Sequence, residues 1–326
     1  MRQWLVVVFT LLFLTANVNA LTLQKKFNTK KNGITKELIK SGVDNARELL
    51  SDSRVELYPE LIKPVRQPKE RPKSGNGQYN GYSSLFHPES IQAGKEVLTQ
   101  HFYLLDEVEL KYGVPKEILV ALFRVETNFG GNTGRYFVFN SLLTWIVGGP
   151  IKRAQWAMLE MCSFLRICRD YSLDPFDFPG STHGAFGLLQ FIPSSFLLFA
   201  VDADGDGYPD LFNPKDAFHS SGNYLSRWNW TDPTGAKKAV YAYNHDWSYV
   251  RAVIGYAKEI KKWMLSKNFV KPEPEVIVTE PVIPVVCYED TEGNTVYTNE
   301  PEDYFNWKLR RVEEASHEEI EKAETH

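Results

Sequence analysis

The sequence predicts a mainly α-helical protein carrying a small β-hairpin appendage at its C-terminal end. Three observations lead there. Apolar residues recur at i, i+3, i+4 and i+7 through most of residues 88–265, the spacing that gives a helix one buried face. Strand spacing shows instead at residues 287–301, CYEDTEGNTVYTNEP, as two short runs around a Glu-Gly-Asn turn. A Pro-punctuated linker, KPEPEVIVTEPVIPV, separates the two regions. At 326 residues and 43% hydrophobic, the chain is long enough to bury a sizeable core in one or two domains plus tails. Its net charge of −4, with Lys and Arg scattered, offers no basic field and argues against a nucleic-acid partner.

The first twenty residues, MRQWLVVVFTLLFLTANVNA, have the form of a secretory signal: one Arg, an apolar run from Trp4 to Leu14, and Val18-Asn19-Ala20 before cleavage. The run is short for a transmembrane helix, and no other segment could span a membrane. No Cys stands at the cleavage point to take a lipid. The expectation is a soluble, exported chain. Residues 33–57 read as two short helices joined around Ser41-Gly42. The Pro-, Gly- and Lys-rich stretch 63–82 reads as an extended connection whose Tyr79 and Tyr82 could fold back over a site. Together these make residues 21–84 an N-terminal helical region.

One long helix is expected from Pro88 to about Tyr112, with Ile91, Val97, Leu98, Phe102, Leu105 and Leu110 as its apolar stripe. The next stretch, GVPKEILVALFRVETNFGGNTG from Gly113 to Gly134, organises the rest. Pro115 suits the first turn of a helix, and Ile118, Leu119, Leu122 and Val125 define its buried face. Glu126 ends that helix just before glycines 130, 131 and 134. A carboxyl group on an apolar helix opening toward a Gly-rich turn can be desolvated, which raises its pKa and makes it a general acid near neutral pH. The plainer alternative is a solvated or capped carboxylate. Helices near 136–147 and 150–170 follow. Cys162 and Cys168, six apart on the second, lie on different faces and read as buried thiols rather than a bridge; Cys287 is unassigned.

In residues 181–218, Gly184, Gly187 and the polar Gln190 among apolar neighbours suggest a close-packed loop turning into a cleft. Gln190 is either a structural clasp or a substrate ligand. Asp202, Asp204 and Asp206 then alternate, with Gly207 sixth, the Tyr208 carbonyl seventh and Asp210 ninth, the first half of a calcium loop. The twelfth position is Asn213, and Asp216 is the substitute ligand. The ion, Ca2+, would be structural; the alternative is an acidic surface turn. Residues 217–229, with Asn223-Tyr224, look helical. After a Thr-Asp-Pro turn come two helical pieces broken near His245-Asp246, where Tyr243, Asn244 and Tyr249 can enter a groove or serve as aromatic core with an Asn cap. From Lys267 the linker leads to the hairpin, and residues from about Arg310 read as a charged helix or disorder.

These segments together resemble the membrane-bound lytic transglycosylase B family, soluble or lipid-anchored murein-degrading enzymes with a lysozyme-like core. The resemblance covers roughly residues 33–265. YGVPKEILVALFRVETNFG is similar to the family's catalytic-helix motif, which implies that Glu126 is its single catalytic acid. GSTHGAFGLLQFIPSSF places Ser181 and Gln190 at substrate-contacting positions. VDADGDGYPDLFNPKDA is similar to the calcium loop, implying Asp202, Asp204, Asp206, Tyr208 and Asp216 as ligands. AYNHDWSYV carries over Tyr243, Asn244 and Tyr249, and Tyr224 falls on a further aromatic cleft position. Gly81 occupies the place of a family Tyr, with Tyr82 adjacent, and paired arginines appear as Lys152 and Arg153, one residue displaced. The resemblance implies a lysozyme-like domain over 85–266. It implies action on peptidoglycan glycan strands: cleavage between N-acetylmuramic acid and N-acetylglucosamine, closing a 1,6-anhydro ring. No second acid is an obvious partner for Glu126, which suits a substrate-assisted route rather than a carboxylate pair. A muramidase that admits water and a non-catalytic wall-binding protein are the alternatives. Without a lipoprotein Cys, the expected location is the periplasm, in free form. Residues 267–326 lie outside the resemblance.

Overall fold

The structure, a computed structural model, describes residues 2–62, 81–232, 234–273, 286–289, 295–298 and 310–314, those of 2–18 and of the last three segments by their backbone alone. It divides into two units, residues 1–272 and 273–326.

The first unit opens with one helix, α1 (Arg2–Lys40), far longer than the short helix expected before Ser41. Leu23, Phe27, Ile34 and Leu38 are buried along it. Lys30 Nζ donates to the Val147 carbonyl at 2.8 Å, meeting a helix C-terminus that a cation suits. Gly42, at φ 87°, makes the turn at Ser41–Gly42 into α2 (Ala46–Leu49) and then α3 (Pro59–Ile62). Most of the extended connection, Tyr79 included, lies outside the described residues.

The long helix expected from Pro88 is two: α4 (Pro88–Gln100) and α5 (Phe102–Tyr112), with His101 out of helical conformation at φ −105°, ψ 21°. Leu98, Phe102 and Leu105 are all buried, so helical spacing runs unbroken through the break and conceals it from a reading of periodicity. Gly113, at φ 70°, ends α5. Helix α6 (Lys116–Thr127) follows, with Pro115 standing just before it (φ −58°, ψ 131°) rather than in its first turn. Ile118 to Phe123 are buried without interruption, because α6 is surrounded by other helices.

The two-residue strand β1 (Tyr136–Phe137) leads into α7 (Val138–Gly148) and α8 (Ile151–Asp170), which pack together. Strand β2 (Pro179–Gly180) pairs antiparallel with β1, Tyr136 opposite Gly180. Glu160 of α8 accepts from Ser194 N and Oγ, both at 2.9 Å, capping α9 (Pro193–Phe199). Helix α10 (Pro214–Leu225) starts and ends earlier than expected; Asn213 sets its start by accepting from Lys215 N at 2.9 Å. Helices α11 (Gly235–Tyr243) and α12 (Trp247–Met264) complete the unit, broken at 244–246 as expected.

Two apolar cores result. One gathers α4, α5, α6, α10, α11 and α12; the other gathers α1, α2, α7 and α8. Residues 185–191 stitch them together, with Leu188 and Leu189 in the first core and Phe186 and Phe191 in the second. Tyr224 and Tyr243 pack against both and form an aromatic seam. Cys162 and Cys168 are free, the first half-buried and the second buried, and burial pushes the Cys168 thiol up to about 12.

In the second unit, β3 (Val286–Glu289) and β4 (Thr295–Thr298) pair antiparallel as the expected hairpin. A third strand, β5 (Arg310–Glu314), pairs with the other edge of β3. A charged helix or disorder was expected there. The open edge of β3 offers unpaired backbone groups that a strand satisfies, and three strands hold better than two. The turn between β3 and β4 lies outside the described residues.

Candidate active site

Helix α6, buried from Lys116 to Phe123, delivers the half-buried Glu126 to the seam between the cores. The chain then reverses in left-handed backbone: Asn128 at φ 53°, Phe129 at φ 59° and Gly130 at φ 81°. Thr127 holds this reversal. Its Oγ1 accepts from Gly130 N at 3.0 Å and donates to the Leu188 carbonyl at 2.7 Å, tying the end of α6 to the loop across the seam. Beyond it, Gly134 presses on Gly180: a Cβ there would lie 2.0 Å from the Gly180 carbonyl oxygen.

The Glu126 carboxyl is half-buried, and burial pushes its pKa up to about 7, against a smaller downward pull from the Tyr249 hydroxyl. Tyr249, 1% exposed on α12, donates to Glu126 Oε1 at 2.5 Å. The Tyr82 ring meets Tyr249 edge-on, centroids 6.4 Å apart, and the Glu126 charge contributes to raising the Tyr82 pKa, behind burial and Asp246. Tyr82, one of the two tyrosines expected to be able to fold back over a site, thus lies beside Tyr249. Burial and the Tyr249 bond account for the Glu126 shift, with no second carboxylate acting on it among the described residues.

The facing loop is pinned by hydrogen bonds. Leu188 N donates to the Leu211 carbonyl at 2.8 Å, and Gln190 sits at φ 52°. Gln190 Nε2 donates to the Thr133 and Gly187 carbonyls, both at 3.0 Å, which makes it a clasp between the Gly-rich turn and its own loop and leaves Oε1 as its open acceptor. Ser181 Oγ accepts from Ala185 N at 3.0 Å and His183 N at 3.3 Å, capping its own turn; it makes no hydrogen bond to Glu126.

A cleft of about 230 Å³ adjoins the seam, lined among others by Gln190, Phe191, Tyr224, Tyr243 and His245. Tyr243 donates to the Leu189 carbonyl at 2.5 Å and Tyr224 to the Ala242 carbonyl at 2.9 Å; their rings meet edge-on, 5.2 Å between centroids. Both hydroxyls are spent on backbone, so each ring is fixed. Burial and the Glu126 charge hold the Tyr243 pKa well above its usual value. Asn244 is exposed at the C-terminus of α11. Lys152 and Arg153 are exposed at the start of α8, Arg153 lying over Trp145 and Trp156 at 5.5 and 5.0 Å.

In the acidic loop, Asp202, Asp204 and Asp216 converge, one carboxylate oxygen from each lying within 4.8 Å of the others. Asp206 is outside that group and accepts from Tyr208 N; the Tyr208 carbonyl accepts from Asp210 N. Asp216 is fully buried, which raises its pKa, and its two oxygens accept from Ala203 N and Asp210 N at 2.8 and 2.7 Å. An all-oxygen, carboxylate-rich donor set in a Gly-bearing loop fits a hard divalent cation.

Sequence reasoning did not find Thr127 or the Leu188 and Leu189 carbonyls. A Thr beside the acid is an ordinary helix-end residue until the loop 61 positions away supplies its partner.

The helical body is that of the lytic transglycosylases. Escherichia coli lytic transglycosylase SLT35 in complex with calcium superposes with a TM-score of 0.65 at 21% identity, over 73% of this chain and 94% of that one. Soluble lytic transglycosylase SltB1 from Pseudomonas aeruginosa does so with a TM-score of 0.62 at 26% identity, over 71% and 98%. The chain belongs to the transglycosylase SLT domain family, which it matches over residues 26–275. It is 37% identical over 162 residues to membrane-bound lytic murein transglycosylase B of Escherichia coli (strain K12). That match spans 49% of this chain and 45% of the relative, less than half of its length.

Proposed function

We propose that the chain is a murein lytic transglycosylase, with Glu126 as its single catalytic acid and base. The observation that carries this is a carboxyl group held near pKa 7 by burial, at an aromatic seam and with no second carboxylate among the described residues acting on it. Protonated Glu126 donates to the glycosidic oxygen between N-acetylmuramic acid and N-acetylglucosamine, and the C1–O bond breaks. The muramyl N-acetyl group stabilises the positive charge growing at C1. Glu126, now ionised, takes the proton of the muramyl C6 hydroxyl as its oxygen attacks C1 and closes the 1,6-anhydro ring. No water is consumed. A pKa near the working pH serves both halves of this proton cycle.

The surrounding side chains support that role. Gln190 Oε1 and the exposed Asn244 amide would hold acetamide or hydroxyl groups. Ser181, with its acceptor capacity used, retains an O–H to donate. Tyr224 and Tyr243 would present fixed aromatic walls to the sugars, while Tyr249 orients the acid. The Asp202, Asp204 and Asp216 cluster, with Asp206 and the Tyr208 carbonyl nearby, would hold calcium as a structural ion, as the similar SLT35 structure holds calcium. Its mechanical link to the site is the Leu188–Leu211 bond.

The substrate would be met after export. Cleavage after Ala20 would cut α1 before Leu23, the start of its described buried face, and leave that described packing in the mature chain. Among the described residues no helix is long and apolar enough to cross a membrane. The test is mass spectrometry of soluble products from murein sacculi incubated with calcium and either the native protein or Glu126→Gln. Anhydro-muropeptides from the native protein, reduced at least about a hundredfold in the variant, are expected. Products heavier by one water would identify a muramidase, and binding without release a wall-binding protein.

A further inference from the structure

Trp247 is left 53% exposed at the first position of α12 and belongs to neither apolar core. It is nevertheless held in place. Asp246 Oδ1 accepts from Ser248 N at 2.7 Å, fixing the turn that carries it. Its ring stacks on Tyr241, centroids 4.6 Å apart and planes at 25°. Tyr241 in turn meets His245 at 5.2 Å, and His245 lines the cleft beside Tyr243 and Gln190. An aromatic strip therefore runs outward from the cleft wall and ends in an open indole face.

Such a face, rigid and apolar with negative charge density above the ring, suits the C–H face of a pyranose and costs little ordering entropy. The exposed Asp246 carboxylate beside it disfavours an anionic ligand and accepts from hydroxyls. Resting on the glycan-cleaving reading of the cleft, we infer that Trp247 stacked on Tyr241 is an outlying platform for a neutral N-acetylated sugar of the glycan strand. The sugar bound there lies beyond the two that flank the scissile bond. Long strands gain this contact; disaccharide-sized fragments do not.

The test is titration calorimetry of the full chain in the Glu126→Gln background, with and without Trp247→Ala, against peptide-free glycan strands and against the disaccharide. Trp247→Ala gives up only the stacking on Tyr241, which packs against the first core, so a small drop in melting temperature is expected and binding is compared well below the melt. Trp247→Ala should weaken strand binding about tenfold, with a smaller effect on the disaccharide and with Trp247→Phe retaining most of the affinity. Equal strand affinities, an equal loss on strand and disaccharide, or no strand binding by either protein would overturn the platform. Muropeptide release by the native protein separates the two claims. Release with Trp247-independent binding removes the platform alone; Trp247-dependent binding without release removes the lytic activity and keeps the platform.

Discussion

Tyr249 and Glu126 are joined by a 2.5 Å hydrogen bond in which a buried phenol donates to a carboxylate oxygen. The bond favours the ionised carboxylate while burial favours the neutral acid, and burial wins, leaving the pKa at about 7. If Glu126 must start protonated, activity falls as pH rises through that value. Tyr249→Phe removes the downward influence on Glu126, so the alkaline limb of the pH profile of muropeptide release should move to higher pH. A limb that stays in place or moves down would show that Tyr249 does not tune this acid.

The raised pKa has a cost that folding should register. A carboxyl group at about 7 in the folded chain and 4.5 in the unfolded one favours folding fully below pH 4.5, and the advantage is lost as pH rises through 7. Glu126→Gln, which cannot ionise, should match the native protein in stability near pH 4 and exceed it above pH 7, by at most about 3 kcal/mol. Thermal melts of both proteins across this range check it. Parallel curves would mean that the carboxyl is solvated and the general-acid assignment loses its physical basis.

The parts of this site that could be read from the sequence are those written in local spacing. Glu126 at the end of an apolar helix, Asp202 and Asp204 of the alternating acidic run, and the break at His245-Asp246 are each contained in about fifteen residues. What could not be read depends on partners far along the chain. Thr127 acquires its role from the Leu188 carbonyl, and Ser181 spends its acceptors on a turn whose geometry follows from Gly184 and the β1–β2 pair. The break at His101 escaped for a different reason, since buried residues keep helical spacing on both sides of it. Strand β5 escaped because an edge strand draws its stability from the neighbour it pairs with, and RRVEE alone reads as charge.

Gly134 should be intolerant of any side chain. Its φ of 116° is one that L-residues rarely adopt, and a Cβ would sit 2.0 Å from the carbonyl oxygen of Gly180, a backbone atom with no rotamer to change. The β1–β2 pair that aligns the turn after Glu126 with the Ser181 loop would have to part. Gly134→Ala should therefore lower stability by more than about 2 kcal/mol and lower turnover as well. Gly205→Ala, at φ 82° but with open space around its Cβ, carries only the conformational strain and should cost less. Denaturant melts of both variants make the comparison, and equal losses would show that backbone strain, not the contact with Gly180, sets the requirement.

Calcium should act through stability, and the geometry says which carboxylates matter. With oxygens of Asp202, Asp204 and Asp216 within 4.8 Å of one another, the loop concentrates like charge that a divalent cation relieves. Binding to the folded state alone adds about 2.7 kcal/mol at a hundred times Kd, which for a body of this size is a rise in Tm of about 5–10 °C. Asp202→Ala should abolish that response. Asp206→Ala, which removes a carboxylate outside the converging group, should retain part of it. Asp216→Ala should do more than abolish it: the same carboxylate accepts from Ala203 N and Asp210 N, so its loss orphans two backbone donors and should lower Tm even in chelator. Because Leu188 N is anchored on the Leu211 carbonyl, and Thr127 on the Leu188 carbonyl, loosening this loop reaches the turn that carries Glu126. Chelator should then reduce muropeptide release at temperatures well below the melt, while leaving the pH dependence of the remaining activity unchanged. A Tm indifferent to calcium and chelator would remove the ion from the account, and a shifted pH profile would mean that it acts on the chemistry itself.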